Sequence, residues 1–202
     1  GGLIRGNEQV EYPNLQYHFA PIAAEFDGRK IRMSQGFTLQ VDQLRPASKG
    51  YIALNSADPA DKPAVHFNYL ADDEDLRELR EGFHKMEELL SQPAFSSLRG
   101  ERQEPAPAVK SDSDIEQWIR ATASTDYHPS CSCRMGNDGD AVVDTELRVH
   151  GIDGLRVVDA SVMPTIVSGN LNAPTQMIAA RAADFILGKT PLPPEFARFH
   201  FQ

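Results

Sequence analysis

The chain has 202 residues, 41% of them hydrophobic and 24% charged, with a formal net charge of −9. That length and apolar content suffice for a buried core in one or two domains. The acidic balance argues against a nucleic-acid partner, since no basic patch is on hand to neutralise phosphates, and no apolar run approaches the ~20 residues that span a bilayer.

From Asn14 to Phe19 the apolar residues Leu15, Tyr17 and Phe19 alternate, as a half-buried strand requires. Asp27-Gly28 predicts a turn. Phe37, Leu39 and Val41 alternate again, and Tyr51 to Leu54 reads as another strand after Ser48-Lys49-Gly50. A loop from Asn55 to Pro59 and Pro63 precedes a short extended piece, Val65 to Phe67. Closely spaced strands with turn residues between them predict an antiparallel sheet.

Asp72 and Asp73 open a helix whose apolar positions are Leu76, Leu79, Phe83, Met86 and Leu90, and Pro93 ends it. A stripe of that spacing marks a core-facing helix. Residues 100–110, with Pro105 and Pro107 among charged residues, form a loop. Ser113 and Glu116 supply the capping box expected for a second helix, which carries Ile115, Trp118 and Ile119 and leads to His128.

His128 stands in Thr125-Asp126-Tyr127-His128-Pro129, followed by Arg134-Met135-Gly136. Pro129 fixes its own φ and biases His128 towards an extended backbone, so the imidazole sits on a stiff loop. Histidine accepts or returns a proton near neutrality, although a lone His-Pro pair most often marks only a satisfied loop histidine. Asn137-Asp138-Gly139-Asp140 is a turn, and Glu146 to Gly151 makes a hairpin-like approach to the next element. Leu155 to Val158, led in by Gly154 and closed by Asp159, reads as a buried strand. Asp159-Ala160-Ser161 then presents polar groups past the strand's carboxyl end, where open α/β sheets bind ligands; an ordinary strand-to-turn stop is the plainer alternative. Asn172 and Pro174, in Gly169-Asn170-Leu171-Asn172-Ala173-Pro174-Thr175, open a helix with Met177, Ile178, Ala182, Phe185 and Ile186 as its apolar face and Gly188 and Pro191 as its stop. Asn172 is placed to cap that helix, whose N-terminus would also favour an electron-rich ligand edge.

Together and in this order, the His-Pro loop, the Val157-Val158-Asp159-Ala160-Ser161 segment and the Asn-x-Asn-Ala-Pro-Thr helix start resemble the C-terminal region of the glucose-methanol-choline oxidoreductases, which are flavin-dependent alcohol oxidisers. The resemblance covers nearly the whole chain, from Gly1 to about Pro193, and Tyr17-His18-Phe19 and Asn68-Tyr69 draw it towards the choline-oxidising members. It implies an α+β fold: an antiparallel substrate-domain sheet with helices over residues 1–124, the C-terminal strand and helix of a Rossmann-like FAD domain over 125–190, and a surface tail over 191–202 carrying Phe196, Phe199 and Phe201. His128 would take or stabilise the hydroxyl proton, and Asn172 would hydrogen-bond the alcohol or alkoxide oxygen. Asp159 and Ala160 would lie beside the flavin's diphosphate and ribityl chain, and Asn172, Ala173, Pro174 and Thr175 near its ring. Tyr127 would contribute to the substrate pocket, and no metal is expected.

The implied reaction is oxidation of a small alcohol, choline to betaine aldehyde, by hydride transfer to FAD, with another primary alcohol as the alternative. The resemblance gives no electron acceptor and leaves oxidase and dehydrogenase open. It implies a cytoplasmic enzyme, with peripheral contact at the inner membrane face as a variant of that reading. The Gly-x-Gly-x-x-Gly turn for the dinucleotide and the acidic residue that meets a trimethylammonium group are not in these residues, so the expectation is a C-terminal fragment, inactive without its N-terminal half.

One departure is visible: Cys131-Ser132 stands where choline-oxidising members carry Gly-Thr, at a backbone position that glycine suits. Cys131 and Cys133 near His128 also allow a metal or redox site, but four ligands of zinc spacing are not present. Ser161, His128 and Asp159 allow a hydrolytic triad, but the Gly-x-Ser-x-Gly elbow is absent.

Overall fold

In a computed structural model, the described residues are 1–26, 31–190 and 192–196. The Asp27-Gly28 turn, Pro191, Phe199 and Phe201 lie outside them. The architecture is mixed α+β, with antiparallel sheets and three α-helices among the described residues, as the sequence leads one to expect. Two compact units divide the chain: Gly1–Tyr127 with Val167–Gly169, and His128–Ile166 with Asn170–Gln202.

The first unit is built on a three-stranded antiparallel sheet of β1 (Gly2–Ile4), β2 (Leu15–Ala20) and β5 (Thr38–Gln43), in the order β1-β2-β5. Its register sets Tyr17 opposite Val41 and Leu15 opposite Gln43. Leu15 and Tyr17 are buried, as the alternation requires. Phe19 is not: it stacks on Phe37 at 5.5 Å on the sheet's rim. Two hairpins complete the strands, β3 (Ala23–Phe26) with β4 (Ile31–Ser34) and β6 (Tyr51–Ala53) with β7 (Ala64–His66).

Helix α1 (Asp73–Ser91) carries the predicted stripe, and Asp72 caps it by accepting from the N–H of Glu74. Leu76, Phe83 and Met86 form the core with Tyr17, Ile115 and Ile119. The helix lies so close to the sheet that a Cβ on Gly82 would fall 2.7 Å from Cγ2 of Val41. At that approach the Tyr17 hydroxyl donates to the Gly82 carbonyl at 2.9 Å. Helix α2 (Asp112–Thr122) places Trp118 edge-on to Phe83 at 5.8 Å. Its capping box is Ser111 with Asp114, two residues earlier than the expected Ser113 and Glu116. Both pairs satisfy the pattern, and the helix takes the one that lets an aspartate reach back to the cap's own N–H.

A polar knot anchors the start of α1. Asp75 is 2% exposed and accepts from the N–H groups of Ala47 (2.7 Å) and Ser48 (3.0 Å) and from the Gln43 amide (3.0 Å). Burial alone would push its carboxyl up, but the Ser48, Ala47 and Gln43 donors outweigh it and hold the group below the usual carboxylate range.

The second unit has little regular structure besides α3 (Asn172–Ile186) and a 3-10 turn over Ala160–Val162. Val143, Leu147, Val162 and Ala182 form its core, with Ile178 packed against them. Met177 and Ile186, expected on the buried face of α3, are exposed. Gly188, with φ +62°, ends the helix as predicted. The expected strand over Leu155–Val158 is only an isolated antiparallel bridge between Arg148 and Arg156. Leu147 has φ +65°, a left-handed conformation that breaks the pleat next to that bridge and stops the ladder. No helix among the described residues is long and apolar enough to cross a membrane.

Candidate active site

After α2 the chain leaves helical geometry and reaches His128, half-buried, with Pro129 behind it. The segment from Cys131 to Met135 then lies along the 3-10 turn. Cys131, Cys133 and Met135 donate backbone N–H groups to the carbonyls of Ala160, Ser161 and Val162 at 3.4, 2.9 and 2.9 Å. These three bonds bring the His128 loop to the Asp159-Ala160-Ser161 stretch, two pieces far apart in sequence. Cys131 holds φ +71°, a left-handed conformation of the kind that glycine suits.

Arg134 grips Asp138 with both guanidinium arms, at 2.9 and 2.5 Å, and closes the following turn. Together with the Asp140 N–H on the same carboxylate, this keeps the Asp138 carboxyl far below its ordinary range. Asp159 Oδ1 accepts the Ser161 N–H at 2.7 Å, the work of a turn cap. Asp159 is exposed and Ala160 half-buried.

The residue that meets His128 is Asn170, whose Nδ2 lies 3.0 Å from Nε2 of the imidazole. Asn172 makes a different contact. It is the first residue of α3 and not its cap, because the N-cap is Leu171 and no side chain caps that end. Its Oδ1 accepts from Gln176 one turn on, at 3.0 Å. Ala173 is exposed, and Pro174 and Thr175 are half-buried in the first turn, with the Thr175 hydroxyl bonded to the Leu171 carbonyl at 2.7 Å. Asn172, Ala173, Pro174 and Thr175 thus share one uncapped helix start. Tyr127 is 83% exposed at φ +60°, its N–H on Thr125 Oγ1.

Sequence reasoning missed Asn170. The contact joins residues 42 apart in sequence, and no local pattern around Leu171 signals it. It also missed the grouping of His18, Asp42 and Asp126 in the first unit, the one set of three potential metal donors found among the described residues, with their donor atoms within 4.8 Å of one another. His18 Nε2 and Asp42 Oδ2 are 2.9 Å apart, within hydrogen-bonding distance. Neither Cys131 nor Cys133 enters such a set among the described residues.

The oxygen-dependent choline dehydrogenase of Pseudomonas syringae pv. tomato (strain ATCC BAA-871 / DC3000) is 49% identical over 193 residues, which are 96% of this chain and 34% of that protein. The chain therefore spans about a third of the length of the curated relatives it matches. Among solved structures, pyridoxine 4-oxidase from Mesorbium loti superposes with a TM-score of 0.80 at 23% identity, over 94% of this chain and 38% of that one, and shows the shared fold. Formate oxidase from Aspergillus oryzae RIB40 superposes with a TM-score of 0.77 at 29% identity, over 89% of this chain and 32% of that one. The family model for GMC oxidoreductases matches residues 46–179, and the chain belongs to that family.

Proposed function

We propose that this chain carries the proton-handling side of a flavin-dependent alcohol oxidiser, with choline as the substrate and betaine aldehyde as the product. The observation that carries the reading is His128: a half-buried imidazole on a proline-stiffened loop, with Nε2 turned to accept a hydrogen bond. A lone pair so placed can take the hydroxyl proton as the alcohol is oxidised. Relatives named oxygen-dependent choline dehydrogenase at 49% identity support choline over other primary alcohols.

In this reading residues 1–124 form the substrate side and 125–190 the flavin side. The uncapped start of α3 has no acidic residue in its first turn, so its leading N–H groups suit an electron-rich partner. That fits a flavin edge near Asn172, Ala173, Pro174 and Thr175, with Asp159 and Ala160 towards its diphosphate side. FAD, when bound, supplies the acceptor for the hydride from the α-carbon. Asn172 donates to the alcohol oxygen and Tyr127 lines the pocket. An N-terminal partner segment provides the dinucleotide turn, and the enzyme works in the cytoplasm.

The test uses the complete polypeptide that contains these residues. His128→Ala should slow flavin reduction by choline at least about 100-fold, with flavin content unchanged. Turnover equal to wild type would remove His128 from the chemistry. Asn172→Ala should also lower turnover, and an unchanged rate would leave Asn172 as a polar residue on the helix surface. Plain primary alcohols outperforming choline would shift the substrate assignment and leave the proton-transfer reading standing.

A further inference from the structure

We propose that Asn170 is a positioning residue that holds His128 in the tautomer able to take a proton at Nε2. The inference rests on the reading of His128 as the proton acceptor. A neutral imidazole carries one proton, and the hydrogen bond made at each nitrogen decides where it sits. An amide nitrogen only donates, so the 3.0 Å contact makes Nε2 the acceptor and leaves the ring proton on Nδ1. With the opposite tautomer, Nε2 would have no lone pair to offer an alcohol hydroxyl.

The backbone beside each end of this hydrogen bond is held. Pro129 stiffens the chain after His128, and Leu171, next to Asn170, is 5% exposed and anchors the start of α3. The arriving hydroxyl takes the place of the amide N–H at Nε2. Its O–H bond breaks, an N–H bond forms at Nε2, and the ring becomes a cation with protons on both nitrogens. Turned about its last torsion, the same amide presents Oδ1 and accepts from the new Nε2–H. One side chain therefore matches both protonation states. Asn172, whose Oδ1 accepts from Gln176, stands on the helix itself.

The test compares Asn170→Asp and Asn170→Ala with wild type in the complete FAD-loaded enzyme. Aspartate keeps the shape but lacks the donor and favours the imidazolium, so the acidic limb of the kcat/KM profile should move to higher pH by about one unit. Asn170→Ala should lower kcat about 10-fold or more, with KM for the alcohol changed less. Nitrogen-15 spectra of the imidazoles give a readout apart from turnover: His128 should show its proton on Nδ1 in wild type and lose that single tautomer in Asn170→Ala. A profile for Asn170→Asp that overlies wild type, or a wild-type spectrum with the proton on Nε2, overturns the proposal. Flavin content separates folded variants from collapsed ones, and the isosteric aspartate decides the matter if the alanine variant does not fold. Wild-type turnover in His128→Ala would instead sink the proposed function, while the spectra still report whether Asn170 sets the tautomer.

Discussion

Removing the Asp75 carboxylate should cost the first unit about 3 kcal/mol. Asp75→Ala takes the acceptor from three donors: the N–H groups of Ala47 and Ser48 and the Gln43 amide. Hydrogen bonds to a charged group contribute about 1.5–3 kcal/mol each. Two of the three losses are softened, because Ala47 is exposed and water can reach its N–H, and because the Gln43 amide also bonds Glu78 at 2.5 Å. Asp75→Asn keeps one acceptor oxygen and should lose about half as much. Trp118, the chain's single tryptophan, packs on Phe83 in the core of this unit, so its fluorescence reports that unit's unfolding in urea. With a slope of about 1.5 kcal/mol per molar urea, the midpoint should fall by about 2 M. The carboxyl is held below its ordinary range in the folded state. Its contribution is therefore complete above the unfolded value of about 3.9 and fades as the pH drops through the lower folded one. The gap between wild type and Asp75→Ala should stay constant from neutral pH to about pH 4 and narrow below it. Equal midpoints at neutral pH, or a gap undiminished in acid, would refute the reasoning.

Gly82→Ala should also destabilise, although alanine is the better helix former. The new methyl meets Val41 Cγ2 at 2.7 Å and Leu15 Cδ1 at 3.3 Å. Overpacking of about 1–3 kcal/mol then exceeds the gain of up to about 1 kcal/mol in propensity, and a urea midpoint at or above wild type would contradict it. Tyr17→Phe removes the hydrogen bond to the Gly82 carbonyl and should cost about 1 kcal/mol at neutral pH. Burial, helped by the negative charge of Glu88, pushes the Tyr17 hydroxyl up to about 12. Its stabilisation is thus full below the unfolded value of about 10 and declines as the pH climbs towards the folded one. Unfolding curves of wild type and Tyr17→Phe should converge in that alkaline window, and curves that stay parallel would show that the hydroxyl is not buried as described.

Helix α1 was legible because its apolar spacing, its Asp72 cap and the closing Pro93 all agree, and β2 and β5 because alternation and turns agree. Where signals overlapped, sequence lost precision: two Ser-x-x-acid patterns compete at the start of α2, and only one reaches the cap's N–H. Short strands such as β1 and the β3–β4 pair span three or four residues, too few for a period to show. The run Leu155–Val158 carries the composition of a buried strand, but its ladder depends on Leu147, whose left-handed turn no composition reveals. Asp75 reads in sequence as one more acid favouring a helix start, and its role as an anchor needs the distant Ala47–Ser48 loop. The same holds for the candidate site. The three motif pieces were visible and the start of α3 at Asn172 was read correctly, but the contact of Asn170 with His128 joins residues 42 apart in sequence, which no local pattern reveals.

The order in which the chain threads its two units gives the His128–Asn170 pair a particular place. Residues 1–127 and 167–169 belong to one unit, and His128 and Asn170 are each the first residue after a passage into the other. The hydrogen bond therefore ties together two doorways of the polypeptide, each one peptide link from residues of the neighbouring unit. A single cut before His128 releases every residue of the second unit, but it takes Val167–Gly169 away from the first. Deletion mapping would consequently misreport the boundaries of this protein. Substitutions at Tyr127 or Gly169, which belong to the first unit, should therefore reach the His128–Asn170 pair through the backbone.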